Sequence, residues 1–447
     1  MRFSSTIIIV LGLTGILIAG ILMSSFSIIT AVIVLSAGIG LLVTLNNPRI
    51  GLYIMLVILP LQNLIILGNG STLVRLVGLA VFVAWVMNKL ITRVSLRSLL
   101  SKPVLLPVMA FLALAFASGF WSNPNLWQTS VFTYLQLAMW VILLMDLIAS
   151  FQYLERALFW VFIGTLAGAL LAIYQFYTQG QTWQYSQRGG GGFNDPNYSS
   201  ASFMFILPYV FYRIRYDRGL LKVIWLISAL VLLSGVAFTV SRTGLLAILI
   251  FLAGQYILYP NKETRAKFVF LVVILVLISM PFWPWDNISY RFSIAWSGGN
   301  DQDLGQRIAG LRYGWRIFTQ NPLTGHGIGY LPNQNVIHNA FLGVAVQLGI
   351  FGFLVMLWLW LTTWRSLYSA YAHAKTSLDD KHLSLISTVQ LSAILYFFFS
   401  LSLATESSRP LWLLFALGGI CFELVKEKQV AHTKHSKSLV SQVAHAG

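Results

Sequence analysis

Long apolar runs follow one another along this chain and leave it few ways to fold. Fourteen of them fall near 6–23, 26–46, 50–68, 72–90, 103–121, 128–148, 155–178, 199–214, 219–240, 243–259, 266–283, 339–364, 383–403 and 409–425. Runs of about 20 apolar residues have the length a helix needs to cross a bilayer. Only 9% of the residues are charged and 57% are hydrophobic, against roughly 25% charged in an ordinary soluble domain. The expected fold is an all-α polytopic membrane protein with about 12–14 transmembrane helices. Residues 1–447 then form a single integral membrane domain. The first run follows Arg2 without a small-residue cleavage site and leads straight into further runs, so it reads as a retained helix and not a removed signal.

Several function classes find no foothold. Cys421 is the only cysteine and lies inside the last apolar run, where it reads as an inert thiol. No phosphate-binding GxxxxGK loop occurs, and GGGGF at 189–193 lacks the strand–helix setting of a dinucleotide site. DQD at 301–303 has the spacing of an acidic metal pair, but Asp303 followed by Gln306 matches a helix cap better. No metal or cofactor is expected, and no nucleic-acid partner.

The cations set an expected orientation. Lys89, Arg93, Arg97 and Lys102 form one basic connection; Arg213, Arg215, Arg218 and Lys222 form another. Lys262, Arg265 and Lys267, then Arg365, Lys375 and Lys381, continue the alternation, and residues 426–447 form a basic tail. By the positive-inside rule these segments and both termini are cytoplasmic. All eleven lysines fall on that side. The other side keeps arginines alone: Arg188, Arg242, Arg291, Arg307, Arg312, Arg316 and Arg409, with Arg75 near an outer helix end. The net charge of +16 thus divides into solvated inner cations and outer guanidiniums. A planar, always-charged guanidinium suits phosphate.

Three outer segments carry these arginines. YSQRGGGGFNDPNYSS (185–200) joins Arg188 to four glycines and a turn. The glycines read either as a flexible hairpin or as a backbone that approaches a ligand closely. Asn197, Ser199 or Ser200 is placed to cap the next helix. TVSRTGLLA (239–247) holds Arg242 between two apolar runs, at a depth where a charge is costly and is usually paired or functional; a snorkelling interfacial arginine is the other reading, and Ser241 or Thr243 is placed to cap the helix after it. The long segment 284–338 is too extended for a plain connection, and it is expected to be a large periplasmic loop, mainly helical. Its stretch 304–319 has helical period, with Ile308, Leu311, Trp315 and Phe318 on one stripe and arginines on both flanks, as suits a helix lying on the interface. Headgroup contact and ligand contact are both open for these arginines. NPLTGHGIGY (321–330) then breaks the helix.

Two histidines lie on this outer side, His326 among turn glycines and His338 at the mouth of the run 339–364. Imidazole is the usual acid–base group near neutral pH. His338 is the stronger catalytic candidate; His326 is a supporting one. Asn339 is either a supporting site residue or a helix cap.

Taken together, SRTGLLA (241–247), the pattern W-x₆-P-x₂-G-x-G-x-G from Trp315 to Gly329, and HNAFL-x₆-G-x₂-G from His338 to Gly352 resemble the O-antigen ligase and O-antigen polymerase family. The resemblance covers roughly 185–365. It implies a GT-C-like glycosyltransferase of the bacterial inner membrane, metal-independent, with its active site facing the periplasm. It implies a glycan on undecaprenyl pyrophosphate as donor and the lipid A core as acceptor, with membrane lipids around both. His338 would then be catalytic, and Arg188, Arg242, Arg291, Arg307, Arg312 and Arg316 would hold the donor pyrophosphate. The family often has an arginine four residues before the loop tryptophan; this chain has Leu311 there, between Arg307 and Arg312. O-antigen ligase is the expected function. An O-antigen polymerase or related oligosaccharyltransferase using the same donor is the alternative, and a polysaccharide transporter or flippase is the non-enzyme rival. Mid-span acids, usual in ion-coupled transporters, are absent from the predicted runs.

Overall fold

The computed structural model describes residues 40, 43–64, 72–92, 101–178, 182–183, 186–258, 262–296, 302–330 and 337–446. Run 6–23 lies outside the described residues, and run 26–46 is described only at 40 and 43–46. The other twelve runs coincide with helices. These are α1 (Pro48–Ile58), α2 (Leu73–Thr92), α3 (Leu105–Ala117), α4 (Pro124–Leu147), α5 (Phe151–Thr178), α6 (Pro196–Tyr216), α7 (Gly219–Phe238), α8 (Arg242–Leu258) and α9 (Lys262–Ser279). After α10 (Trp285–Trp296) and α11 (Gln302–Gln320) come α12 (Ala340–Ser377), α13 (Asp380–Ser400) and α14 (Arg409–Ala446). A two-residue antiparallel pair, β1 (Thr182–Trp183) and β2 (Ser186–Gln187), is the only sheet among the described residues. Of the described helices, α2, α4, α5, α7, α9 with its continuation, α12 and α13 are long and apolar enough to cross a membrane, and α1, α3 and α8 are shorter apolar helices. The chain is an all-α multi-pass membrane protein.

The same local chemistry starts three of these helices. Asn47, Asn123 and Asp195 each cap with a side-chain oxygen that accepts backbone N–H groups, and Pro48, Pro124 and Pro196 follow at the first helical position. A proline there loses no hydrogen bond and arrives with helical φ already set. Asp195, not Asn197, Ser199 or Ser200, therefore caps α6.

Burial shows which helices are interior. α6 is buried on nearly every side and packs against α5, α7, α8 and α13. The α14 stretch from Pro410 to Cys421 is buried throughout and packs against α4, α12 and α13. Outer helices do the reverse. On α2, Leu76, Leu79, Val83, Met87 and Leu90 form an exposed stripe at three- and four-residue spacing, and Phe270, Val273 and Leu277 do so on α9. An apolar stripe turned outward is unfavourable in water and suits lipid.

Ion pairs gather at one end of the bundle: Lys89–Asp146, Arg213–Glu155, Arg213–Asp217, Arg215–Asp380 and Lys381–Glu155. The opposite end holds the start of α2, the α7–α8 and α13–α14 turns, and the segment 284–338. That segment contains α10 and α11, in keeping with the mainly helical expectation. The start of α11 at Gln302 puts Asp303 inside the first turn and not at the cap. On α11 the stripe Ile308, Leu311 and Trp315 is exposed. Gly310, Gly314 and Ile317 face the protein, and Phe318 leaves the stripe to pack against Ile317, Ile337 and Val346.

Close helix contact also depends on single glycines. A Cβ on Gly164 of α5 would stand 1.9 Å from the Val57 carbonyl oxygen of α1, so the two helices touch backbone to backbone. Gly164→Ala is expected to separate them, lowering the thermal midpoint of the purified protein and its accumulation in membranes. An unchanged midpoint by scanning fluorimetry would show that the contact tolerates a methyl group.

Candidate functional site

α12 is broken near its start. Gly349 has φ 66° and ψ −161° within an otherwise helical run, and a Cβ there would meet the Leu323 carbonyl oxygen at 2.1 Å. A broken helix at membrane depth leaves carbonyls that need partners from the protein. The segment 321–330 supplies them. His326 N–H donates to the Val346 carbonyl at 3.0 Å, Gly327 N–H donates to that of Gln347 at 2.8 Å, and Ile350 N–H donates to that of Pro322 at 2.8 Å. Gly325, Gly327 and Gly329 all have positive φ; Gly327 lies against Ser122, and Gly329 lies against Ser130 of α4. The G-x-G-x-G pattern is thus a strand of chain threaded between the first turns of α12 and α4.

His338 and Asn339 stand at the start of this short half-helix. Asn339 caps α12, its Oδ1 accepting from Leu342 N–H at 2.9 Å. Its Nδ2 donates to the Leu401 carbonyl at 3.0 Å. Arg307 of α11 reaches the next carbonyl, Ser402, at 3.3 Å, and the Tyr198 hydroxyl donates to Ala404 at 2.6 Å. The turn after α13 therefore ties His338's helix, Arg307 and the start of α6 together. His338 itself is half-buried beside these contacts.

A second knot surrounds the α7–α8 turn. Arg188 is buried at 3% exposure; its Nε donates to the Thr239 carbonyl at 2.9 Å and its Nη2 to Asn197 Oδ1 at 3.0 Å. The Ser241 hydroxyl also donates to Asn197 Oδ1, at 2.9 Å, and accepts from Gly244 N–H at 3.3 Å as the cap of α8. Arg242 opens α8 and donates to the Arg291 carbonyl of α10 at 3.5 Å. Val240 between them has φ 49°, a strained conformation for a β-branched residue of the kind that collects at functional sites. The structure thus brings Arg188, Arg242 and Arg291 around one turn. Tyr198, beside Asn197, links that knot to the turn that holds Arg307 and Asn339.

Arg312 and Arg316 do not join them. Both are exposed on α11, with Arg316 over the Tyr313 ring at 5.2 Å. His326 has a packing role: its ring stacks on Tyr330 at 4.6 Å and its Nε2 lies 3.1 Å from the Ile317 carbonyl. The glycines 189–192 are buried and close on protein. A Cβ on Gly189 would meet the Ala172 carbonyl oxygen at 2.2 Å, and one on Gly192 that of Pro60 at 2.3 Å.

Beneath these elements lies a polar cavity of about 300 Å³, walled by α4, Gly329, Gln347, Arg75, Arg409 and Glu406. Glu406 is 6% exposed, and its Oε2 has no hydrogen-bond partner. Its Oε1 lies 3.1 Å from where a Gly343 Cβ would stand, one helical turn beyond Asn339. Burial pushes its carboxyl up from 4.5 to about 7, with its own backbone N–H opposing the shift. The sequence offered one signal for Glu406: it is the acid in the short turn between two apolar runs.

The model of a family described as O-antigen ligase matches residues 227–357. The matched segment runs from within α7 into α12 and carries Arg242, Arg291, Arg307, His338 and Asn339. Over that segment the chain is similar to the O-antigen ligase family. No curated protein matches the chain.

Asn339→Asp keeps the cap but loses the donor to Leu401, whereas Asn339→Ala loses both. The alanine variant is expected to be less stable than the aspartate by about 1 kcal/mol, read as the difference in thermal midpoint between them; equal midpoints would mean that the cap contributes nothing. Glu406 gives a pH signature. Its folded pKa lies above its unfolded value, so the folded state binds the extra proton between them, and stability falls as pH rises toward 7. Glu406→Gln should flatten that fall and gain relative to the parent at about pH 8. Parallel pH profiles for the two proteins would contradict the buried-acid reading.

Proposed function

We propose that this protein is an O-antigen ligase that moves a glycan from undecaprenyl pyrophosphate to a sugar hydroxyl of the lipid A core. The reaction takes place at the outer leaflet of the bacterial inner membrane, on the arginine-rich end of the bundle. The observation that carries the reading is the family match over 227–357, because the elements it covers bring Arg307 and the His338–Asn339 helix start to one turn, and Arg242 to Arg291.

The chemistry follows from the groups present. The bond between the anomeric carbon and the pyrophosphate oxygen breaks, and the electron pair leaves with the pyrophosphate. Arg242 and Arg291 sit where fixed guanidiniums can stabilise that growing charge, with Arg188 holding the turn beneath them and Arg307 alongside. The start of α8, capped by Ser241, adds N–H groups and a positive helix end. The acceptor hydroxyl is a poor nucleophile; His338 takes its proton as the new glycosidic bond forms. Attack opposite the leaving group inverts the anomeric configuration. Arg312 and Arg316, exposed on α11 beside its apolar stripe, serve as headgroup contacts of an interfacial helix.

The test is the lipopolysaccharide of a deletion strain carrying each variant. His338→Ala and Arg242→Ala are expected to lower transfer by about a hundredfold or more at normal protein level. O-antigen should be lost from the core while polymerised glycan stays on its lipid carrier. A core bearing a single repeat unit would instead identify a polymerase, and full transfer in either variant overturns the assignment of these residues.

A further inference from the structure

The first turn of α6 lies outside the family-matched segment 227–357, yet it touches both halves of the site. Tyr198 reaches the turn after α13, and Asn197 reaches the turn between α7 and α8. Gly244 of α8 packs so closely on the same turn that a Cβ there would overlap Ser200 Oγ.

One oxygen joins α6 to the start of α8. Asn197 Oδ1 accepts from Arg188 Nη2 at 3.0 Å and from the Ser241 hydroxyl at 2.9 Å. A guanidinium has donors and no acceptor, so the amide atom facing Arg188 is the oxygen and not the nitrogen. Facing that oxygen, the Ser241 hydroxyl directs its single proton to Asn197. Its lone pairs then remain for Gly244 N–H, which donates to it at 3.3 Å and closes the cap of α8. Orientation thus passes from Arg188 through Asn197 and Ser241 to the helix start that carries Arg242.

The same groups grip the strained turn from both sides. Val240 has φ 49°. Arg188 Nε holds the Thr239 carbonyl before it at 2.9 Å, and Asn197 holds the Ser241 side chain after it. Arg188, Thr239 and Ser241 are all buried, where a satisfied polar network is rigid. A strained residue persists only where its surroundings over-determine it. A carboxylate would accept both bonds equally well, but it would bring a negative charge beside Arg188 and the residue before Arg242. The residue present is the neutral amide.

We infer that Asn197 is a positioning residue of the transfer site. Its doubly accepting oxygen fixes the Ser241 cap, and through it Arg242, without placing a negative charge where the leaving pyrophosphate gains its own. The need for a neutral group rests on the proposed transfer reaction; the clamp on α8 does not.

Two measurements on the purified full-length protein in nanodiscs separate these parts. Hydrogen exchange of the peptide spanning 239–247 reads the clamp. Transfer from a polyprenyl-pyrophosphate-linked glycan to a lipid A core acceptor reads the charge. Asn197→Ala and Ser241→Ala are each expected to speed exchange at the start of α8 about fivefold or more, and the double variant to exchange no faster than either single one. Asn197→Asp keeps both bonds and should exchange like the parent, yet its kcat should fall about tenfold or more. Should Asn197→Ala fail to accumulate, Ser241→Ala reads the same relay from its other end. Unchanged exchange in Ser241→Ala and in folded Asn197→Ala would overturn the clamp, whatever the transfer assay shows. Full transfer by Asn197→Asp would overturn the need for a neutral group. Exchange as expected in a parent that makes no core product would count against the proposed function alone and leave the clamp standing.

Discussion

The site depends on one broken helix. At Gly349 the chain leaves helical geometry, and Val346, Gln347 and Ile350 find their backbone partners in the segment 321–330. Lipid offers no alternative partner, so the break persists only because that segment is threaded against it. The half-helix before the break then takes its own direction and carries His338 and Asn339 at its tip. Three side chains, from Asn339, Arg307 and Tyr198, hold the carbonyls of the 401–404 turn and so fix that tip relative to α6, α11 and α13. The glycine pattern that the family motif shares is, physically, the condition for this threading.

Charge is partitioned to match. At one end, lysines and arginines meet carboxylates in ordinary pairs such as Lys89–Asp146 and Arg213–Asp217. At the other, arginines meet carbonyls, amides and each other: Arg188 with Thr239 and Asn197, Arg242 with Arg291, Arg307 with Ser402. Glu406 at that end is buried, and burial makes it a weak acid there.

Much of this was legible in the residues. Twelve apolar runs became helices because length and hydropathy decide that outcome in lipid. The order of SRTGLLA, the glycine motif and HNAFL pointed to the family. What the sequence left open were questions of direction. The glycines at 189–192 approach other backbone, at Ala172 and Pro60, and no periodicity separates that from approach to a ligand. The stripe on α11 was visible, but not that Trp315 faces outward while Gly314 faces α12. The outer arginines looked alike in the sequence; only packing separates buried Arg188 from exposed Arg312 and Arg316. Arg75, Arg409 and Glu406 lie more than 300 residues apart at the extremes, and only the tertiary fold places them on one cavity.

The proposed reaction makes a glycosidic bond at this end of the bundle. Purified protein reconstituted with a polyprenyl-pyrophosphate-linked glycan and a lipid A core acceptor tests that most directly. Glycosylated core, polyprenyl pyrophosphate released in equal amount, and inverted configuration at the new linkage are the expected products. Glycan that crosses the vesicle membrane still attached to its lipid, with no core product formed, would contradict it.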